Sequence, residues 1–248
     1  MNAKKFLSFS AAFACALCFS ACEGDNSVSV TEKIMTDAKV VPHSSGTPAT
    51  PDPKGNTPSQ ATGEKLLVDD FEDGDNQSPL GDYWYVYNDK GSGAESTIES
   101  MTVDADGHAK PTATDNGSKN SFNVKFTLKK GGYQYDAYVG WGVHLPTDKD
   151  YSKFTAVSYR YKGGSHYIHV ELSSITDSDH YSKSMPFTKE WTSAVVEFSK
   201  LHQEGWGAAV PFKAEEISAI SFQAKGPDTQ DSVFIDDIYL LSGTEEAK

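Results

Sequence analysis

In several stretches of this chain every second residue is apolar, and the residues between them are aromatic or hydrogen-bonding where a plain solvated face carries Lys, Glu and Thr. They include Tyr138 and His144 in Tyr138 to Leu145, Tyr167, His169 and Glu171 in Tyr167 to Leu172, and Ser221 and Gln223 beside Ile220, Phe222 and Ala224. A sugar offers flat C–H faces rimmed by hydroxyls. A surface that grips one needs rings to cover the faces and polar tips to satisfy the hydroxyls, because a buried unpaired hydroxyl costs about 1–3 kcal/mol. These residues supply that mixture, and the aromatic-rich turn Tyr83 to Tyr87, including Tyr85 and Tyr87, and the loop residues Asp179, His180, Tyr181 and Trp206 extend it. The other reading of the same aromatics is packing, since strands favour such residues for that reason alone.

Acidic clusters stand at Asp69, Asp70, Glu72 and Asp73 and again at Asp236 and Asp237. Carboxylates from the first and last strands of a sandwich, Asp70, Glu72 and Asp236 among them, are candidates for a structural Ca²⁺ that pins the ends together. The alternative is an ordinary acidic strand edge. Hydrolysis of a glycosidic bond needs two carboxylates across a cleft. Glu171 with Glu204 or Asp179 is conceivable, but no motif links them, and Gly-x-Ser-x-Gly, His-Glu-x-x-His and phosphate-cradling glycine loops are absent from the sequence. The sequence is therefore read as non-enzymatic.

The elements that must carry these residues are short β-branched and aromatic runs from Glu64 onward, bounded by Gly, Asn, Asp and Pro about every ten residues, the pattern of an all-β sandwich or barrel. In Phe122 to Leu128, Phe122, Val124, Phe126 and Leu128 face the core. Val139, Trp141, Val143 and Leu145 do the same in their strand, as do Ile168, Val170 and Leu172 in theirs. Lys213 to Ile217 invites one short helical turn.

Ahead of this region, Lys4 and Lys5 precede an apolar run from Phe6 to Phe19 that is too short for a permanent span, the pattern of an export signal. The run Phe19, Ser20, Ala21, Cys22 resembles a bacterial lipobox, so residues 1–21 are expected to be removed and Cys22 lipidated; the alternative is plain secretion with cleavage near Ala21. Residues 22–63, rich in Pro, Thr and Ser, read as a disordered spacer, residues 64–241 as the folded module, and residues 242–248 as a tail. The three cysteines, Cys15, Cys18 and Cys22, all lie in or at the end of the leader, which excludes a disulfide framework, a thiolate metal site or a cysteine nucleophile in the module. With 35 acidic against 22 basic residues and a formal net charge of -13, the chain would repel nucleic acid and offers no polybasic grip on lipid. The expected place is the cell envelope, as a monomer held by its acyl chains.

The opening Glu64 to Glu72, with Asp69, Asp70, Phe71 and Glu72, and the closing run Phe234 to Leu240 resemble the two ends of carbohydrate-binding modules of family 11. Between them Tyr138 to Leu145, Asp179 to Ser182 and Trp191 to Leu201 fall in matching order. The resemblance implies a two-sheet antiparallel jelly roll of the galactose-binding type, bound calcium, and a concave face that holds single β-glucan chains, mixed-linkage or cellulosic. It places binding roles on Tyr85 or Tyr87, on Tyr138, on Asp179 and on Trp206, where a tryptophan replaces the family's tyrosine. The penultimate strand departs from the family, offering Ser218, Ser221 and Ala224 toward the sugar. The leading expectation is a glycan-binding lipoprotein; the alternatives are an assembly lipoprotein whose sandwich docks a protein partner, and a glucanase-associated subunit.

Overall fold

The structure, a computed structural model, describes residues 63–99, 103–113 and 119–243. The expected leader, the Cys22 anchor and the spacer up to residue 62 lie outside the described residues, as do residues 244–248 of the expected tail. The strands are β1 (Lys65–Asp69), β2 (Trp84–Asn88), β3 (Thr97–Ile98), β4 (Thr112–Ala113), β5 (Asn120–Leu128), β6 (Ala137–His144), β7 (Phe154–Gly163), β8 (His166–Leu172), β9 (Tyr181–Met185), β10 (Thr188–Glu197), β11 (Ile217–Gly226) and β12 (Thr229–Ser242). They form two antiparallel sheets, as the alternation predicts. One runs β10-β7-β12-β5-β3, with β1 on β12 and β4 on β5; the other runs β2-β6-β11-β8-β9.

The apolar positions read from the sequence meet between the sheets. Phe122, Val124, Phe126 and Leu128 of β5, Val139, Trp141 and Val143 of β6, and Ile168, Val170 and Leu172 of β8 are all buried. Trp84 and Phe71 close one end, with ring centroids 5.2 Å apart and Phe122 4.8 Å from the tryptophan. The expected turn at Tyr83 to Tyr87 is a strand from Trp84 onward, because β6 supplies a full ladder for it, Trp84 opposite Val143 through Asn88 opposite Val139. The expected helical turn is present as a 3-10 turn at Ala214–Glu216.

Long pairings hold the first and last strands of the described fold together. β12 takes β7 along Val233 to Ser242, while its other edge is shared between β5 over its first half and β1 over its second. Beneath β1, the carboxylate of Asp69 accepts the Phe71 N–H at 2.8 Å and the Trp84 Nε1–H at 2.7 Å. Burial nevertheless pushes its pKa up to about 7, because removal from water disfavours the anion more than two donors favour it. His166 is the opposite case. Its Nδ1 lies 3.1 Å from the Gly164 carbonyl, which can only accept, so Nδ1 carries the proton and Nε2 accepts from the Tyr159 hydroxyl at 3.0 Å. Burial holds this neutral imidazole down to about 4.

The two groups act on stability with opposite signs. His166 is depressed in the fold from an ordinary 6.5, so the unfolded chain takes the proton first and stability falls as pH drops from about 6.5 toward 4. Asp69 is raised from 3.8, so the folded chain binds the proton more tightly and stability falls as pH rises from about 4 toward 7. Urea denaturation should therefore show the stability difference between wild type and His166→Gln shrinking by on the order of 2 kcal/mol from neutral to mildly acidic pH. The difference between wild type and Asp69→Asn should grow over the same interval, and a shared sign would refute the two assignments.

Candidate functional site

Directly opposed residues of an antiparallel sheet present their side chains to the same face, so the register of the five-stranded sheet arranges the site in rows. One row reads Tyr85, Gly142, Ser221, His169 and Ser182 across β2, β6, β11, β8 and β9. The next reads Tyr87, Gly140, Gln223, Tyr167 and Ser184. His144, Ala219 and Glu171 share a third. Together with loops on either side, Tyr85, Tyr87, His144, His169, Glu171, Ser182 and Gln223 of these rows line a groove of about 1130 Å³, larger than a pocket for one small molecule.

The glycines explain how the tyrosines lie. A Cβ on Gly140 would overlap the Tyr87 ring, and one on Gly142 would come within 2.6 Å of the Ser221 Cβ and 2.7 Å of the Tyr85 hydroxyl. Both rings therefore rest on bare backbone of β6 and lie across the sheet. Tyr85 stacks on His144 at 4.7 Å between centroids, and Tyr87 lies 6.2 Å from Tyr138. Between and beside the rings, the Ser221 hydroxyl donates to Glu171 Oε1 at 2.5 Å and the Gln223 amide approaches the Tyr87 hydroxyl at 3.4 Å. His180 Nε2 stands 3.5 Å from Glu171 Oε2. Burial, followed by the Glu171 charge, raises the phenol pKa of Tyr85 and Tyr87, and burial with the neighbouring His180 and Lys225 charges holds His169 down to about 3. At neutral pH the rings and His169 are uncharged, so the floor offers neutral donors and acceptors around a carboxylate.

Two loops complete the groove, each held by a buried carboxylate. Asp179 is 2% exposed, and its oxygens accept the N–H groups of Glu204, Gly205 and Gly207 at 2.9, 2.9 and 3.0 Å. Asp177 takes the Ala208 N–H at 2.7 Å, and the Gln203 side-chain amide reaches the Asp179 and Ala208 carbonyls. This fixes the turn that presents Trp206 to the groove, 62% exposed. On the other side Asp89, fully buried, accepts the Ser96 N–H and hydroxyl and the Tyr138 N–H, the last at 2.7 Å.

Of the residues singled out in the sequence, Tyr85, Tyr87, Tyr138, His144, His169, Glu171, Asp179, Trp206 and Gln223 all line this groove. Ser221 is fully buried in the floor, where it serves Glu171. Tyr181 is a correction: it faces away, its ring edge-on to Phe212 at 5.0 Å and its hydroxyl donating to the Val210 carbonyl at 2.7 Å. The alternation of β9 requires this, because Ser182 beside it is the residue that faces the groove. Asp179 also differs from its expected part, since its carboxylate is occupied by loop N–H groups. The sequence reading passed over Tyr133, Gln134, Tyr135 and Asp136, which line the groove from the β5–β6 loop, and Lys225, which pairs with Glu204 and lies over the Tyr167 ring. The Tyr133-x-Tyr135 pair of that loop is the available signal.

The expected calcium set does not come together. Among the described residues one group of three carboxylate or imidazole ligands gathers within 4.8 Å, Asp104, Asp106 and His108, and it includes none of Asp70, Glu72 and Asp236. Glu72 accepts the Lys119 N–H at 2.8 Å and Asp236 the Asp237 N–H at 2.9 Å. The oxygens of Asp70, Glu72 and Asp236 are not gathered about one point, so these three do not fit a shared cation among the described residues.

Gly140→Ala should displace the Tyr87 ring and cost about 1–3 kcal/mol of stability, read by urea midpoint and by the near-UV tyrosine signal. Asp179→Ala should leave the Glu204, Gly205 and Gly207 amides unpaired and raise their hydrogen exchange while the β6 and β11 amides stay protected; unchanged exchange at Gly205 and Gly207 would contradict the clasp.

No family model matches the chain. Endoglucanase 3 of Fibrobacter succinogenes is 45% identical over 185 residues, 73% of this chain, and the chain spans 28% of that relative's length. Among solved structures, a family 11 carbohydrate-binding module from Clostridium thermocellum in complex with a β-1,3-1,4-mixed-linked tetrasaccharide superposes with a TM-score of 0.52, at 20% identity, over 75% of this chain and 100% of the module. The family 11 module of a cellulosomal cellulase of the same organism gives 0.50, at 20% identity, over 75% and 98%. The two sheets, their order and the coverage of those modules end to end give this chain the jelly-roll fold of the family 11 carbohydrate-binding modules, as the ends of its sequence resemble theirs.

Proposed function

We propose that the chain is a non-catalytic glycan-binding protein that takes β-glucan chains, mixed-linkage or cellulosic, along the groove of the five-stranded sheet. The observation that carries this is the seating of Tyr85 and Tyr87 on Gly142 and Gly140, which lays two rings along a floor of hydroxyl, amide and carboxylate groups. Rings cover the apolar sugar faces and the floor satisfies hydroxyls. That a structure of the same fold is a complex with a mixed-linked tetrasaccharide supports the choice of ligand.

The carboxylates speak for binding without hydrolysis. Two free carboxyl groups would be needed, one as acid and one as base or nucleophile. Asp179 has both oxygens occupied by loop N–H groups, and Glu204 is paired with Lys225. Glu171 accepts from Ser221 and stands beside His180, which makes it a binding acceptor and leaves Asp136 of the β5–β6 loop as a single groove carboxylate, not one of a catalytic pair. The similarity to part of an endoglucanase supports a role beside a glucanase, holding glucan for an enzyme to cut. On this reading the lipobox-like run ending at Cys22 anchors the module at the envelope, with the Pro-rich spacer holding it off the membrane.

Calorimetric titration with barley β-glucan, xyloglucan and cello-oligosaccharides tests the proposal. Binding of modest affinity is expected, weakened about tenfold or more by Tyr138→Ala or Trp206→Ala, with reducing-sugar release staying at background. Flat titrations with every glucan would overturn the reading; release of reducing ends above background would overturn its non-catalytic part.

A further inference from the structure

The groove is lined by two strongly exposed aromatic rings, Trp206 at 62% and Tyr135 at 63%. Trp206 stands on the clasped turn already described. Tyr135 stands on the arch that joins β5 to β6, and the sheet register does not account for it.

This arch is built to hold a ring in place. At one foot the Lys129 N–H donates to Ser96 Oγ at 3.1 Å and the Lys130 N–H to Asp228 Oδ1 at 2.7 Å. At the other foot the Tyr138 N–H is held by Asp89. The turn between closes through the Tyr133 N–H to the Lys130 carbonyl at 3.0 Å, with Gly131 at a φ of +55°. Tyr133 is half-buried and meets Tyr135 edge-on, 5.5 Å between centroids. Gln134 and Asp136, which also line the groove, place an amide and a carboxylate beside the ring. An exposed ring on a braced loop, flanked by hydrogen-bonding groups and opening on the groove, repeats the chemistry of the floor outside the sheet.

We propose that Tyr135, braced by Tyr133, is a further sugar-stacking platform that extends the groove past the Tyr138 end of β6, so that the protein favours long glucan chains over short oligosaccharides. The inference rests on the glycan-binding reading. From His144 to Tyr138 the site runs six residues of strand, about 20 Å at about 3.4 Å each, and the arch lies beyond Tyr138. A ligand lying along β6 that reaches Tyr135 would therefore occupy the sheet as well, and a short one satisfied by the sheet would not reach it.

The test is calorimetry on the full chain with cello-oligosaccharides and mixed-linkage oligosaccharides of increasing length. Wild-type affinity should keep rising at lengths where Tyr135→Ala has levelled off. The variant should lose about three- to tenfold on the longest ligands and nothing on the shortest that binds, Tyr135→Phe should behave as wild type, and Tyr138→Ala should weaken all lengths alike. Equal loss at every length, or no loss on the longest, would overturn the platform while leaving the binding proposal intact. A wild type that binds no glycan of any length overturns the binding proposal itself, and the platform with it.

Discussion

A buried aspartate that accepts two or three N–H groups is the interaction on which the rest of this molecule depends. It recurs at Asp69, which ties the end of β1 to the core indole of Trp84, at Asp89, which joins the loop after β2 to the start of β6, and at Asp179, which closes the turn of Trp206. Hydrogen bonds to a charged acceptor are worth about 1.5–3 kcal/mol each; Asp89 and Asp179 direct two and three of theirs to backbone N–H groups outside the ladders, and Asp69 divides its two between the Phe71 N–H and the Trp84 indole. Loops are ordinarily the mobile parts of a fold. Here the ring-bearing loops are pinned from inside, which lowers the ordering cost of any partner that lands on them.

The sheet beneath is shaped by the same logic of fixed rings. Glycine inside a strand weakens it, since it loses more freedom on folding and packs nothing. Gly140 and Gly142 sit in β6 with β2 on one side and β11 on the other, and the opposed Tyr87 and Tyr85 rings cover the backbone they leave bare. The exchange turns two flexible positions into two seats. With Trp141 and Phe222 stacked underneath at 6.0 Å and Val139 and Val143 buried beside them, the other face of the same strand is core. One eight-residue strand thus fixes both the packing and the site.

Much of this was legible because period-two alternation is a local property. The inward sets of β5, β6, β8 and the middle of β11 follow from counting every second residue, and nine of the eleven residues expected at the binding face line one groove. What failed was non-local or lacked contrast. Tyr83 to Tyr87 carries aromatics on four of five positions, so the sequence shows no polar face and its strand appears once β6 is there to pair with it. The phase of Tyr181 is set by β8, through the pairing of Tyr181 with Val170. Asp179 looked like a ligand contact because its partners lie 25 to 28 positions away, and no spacing rule reaches that far. The Tyr133–Tyr135 arch follows Gly131 and Gly132, where the strand pattern stops and counting has nothing to count.

The charge balance then bears on what the groove can hold. A net charge of -13 would repel an anionic polymer at long range, and the groove does not compensate, since its two lysines, Lys130 and Lys225, stand against the carboxylates of Asp136, Glu171, Asp179 and Glu204, and Lys225 is paired with Glu204 and sits over the Tyr167 ring. His169, held at about 3, adds no positive charge at neutral pH. What remains on the floor is a carboxylate steadied by Ser221 and His180, an amide and a set of phenols, all suited to the hydroxyls of a neutral polymer and none to a phosphate or a uronate. The acidity of the chain, which by composition alone opposes nucleic acid, works inside the fold as the clasp for its loops and at the groove would disfavour anionic ligands.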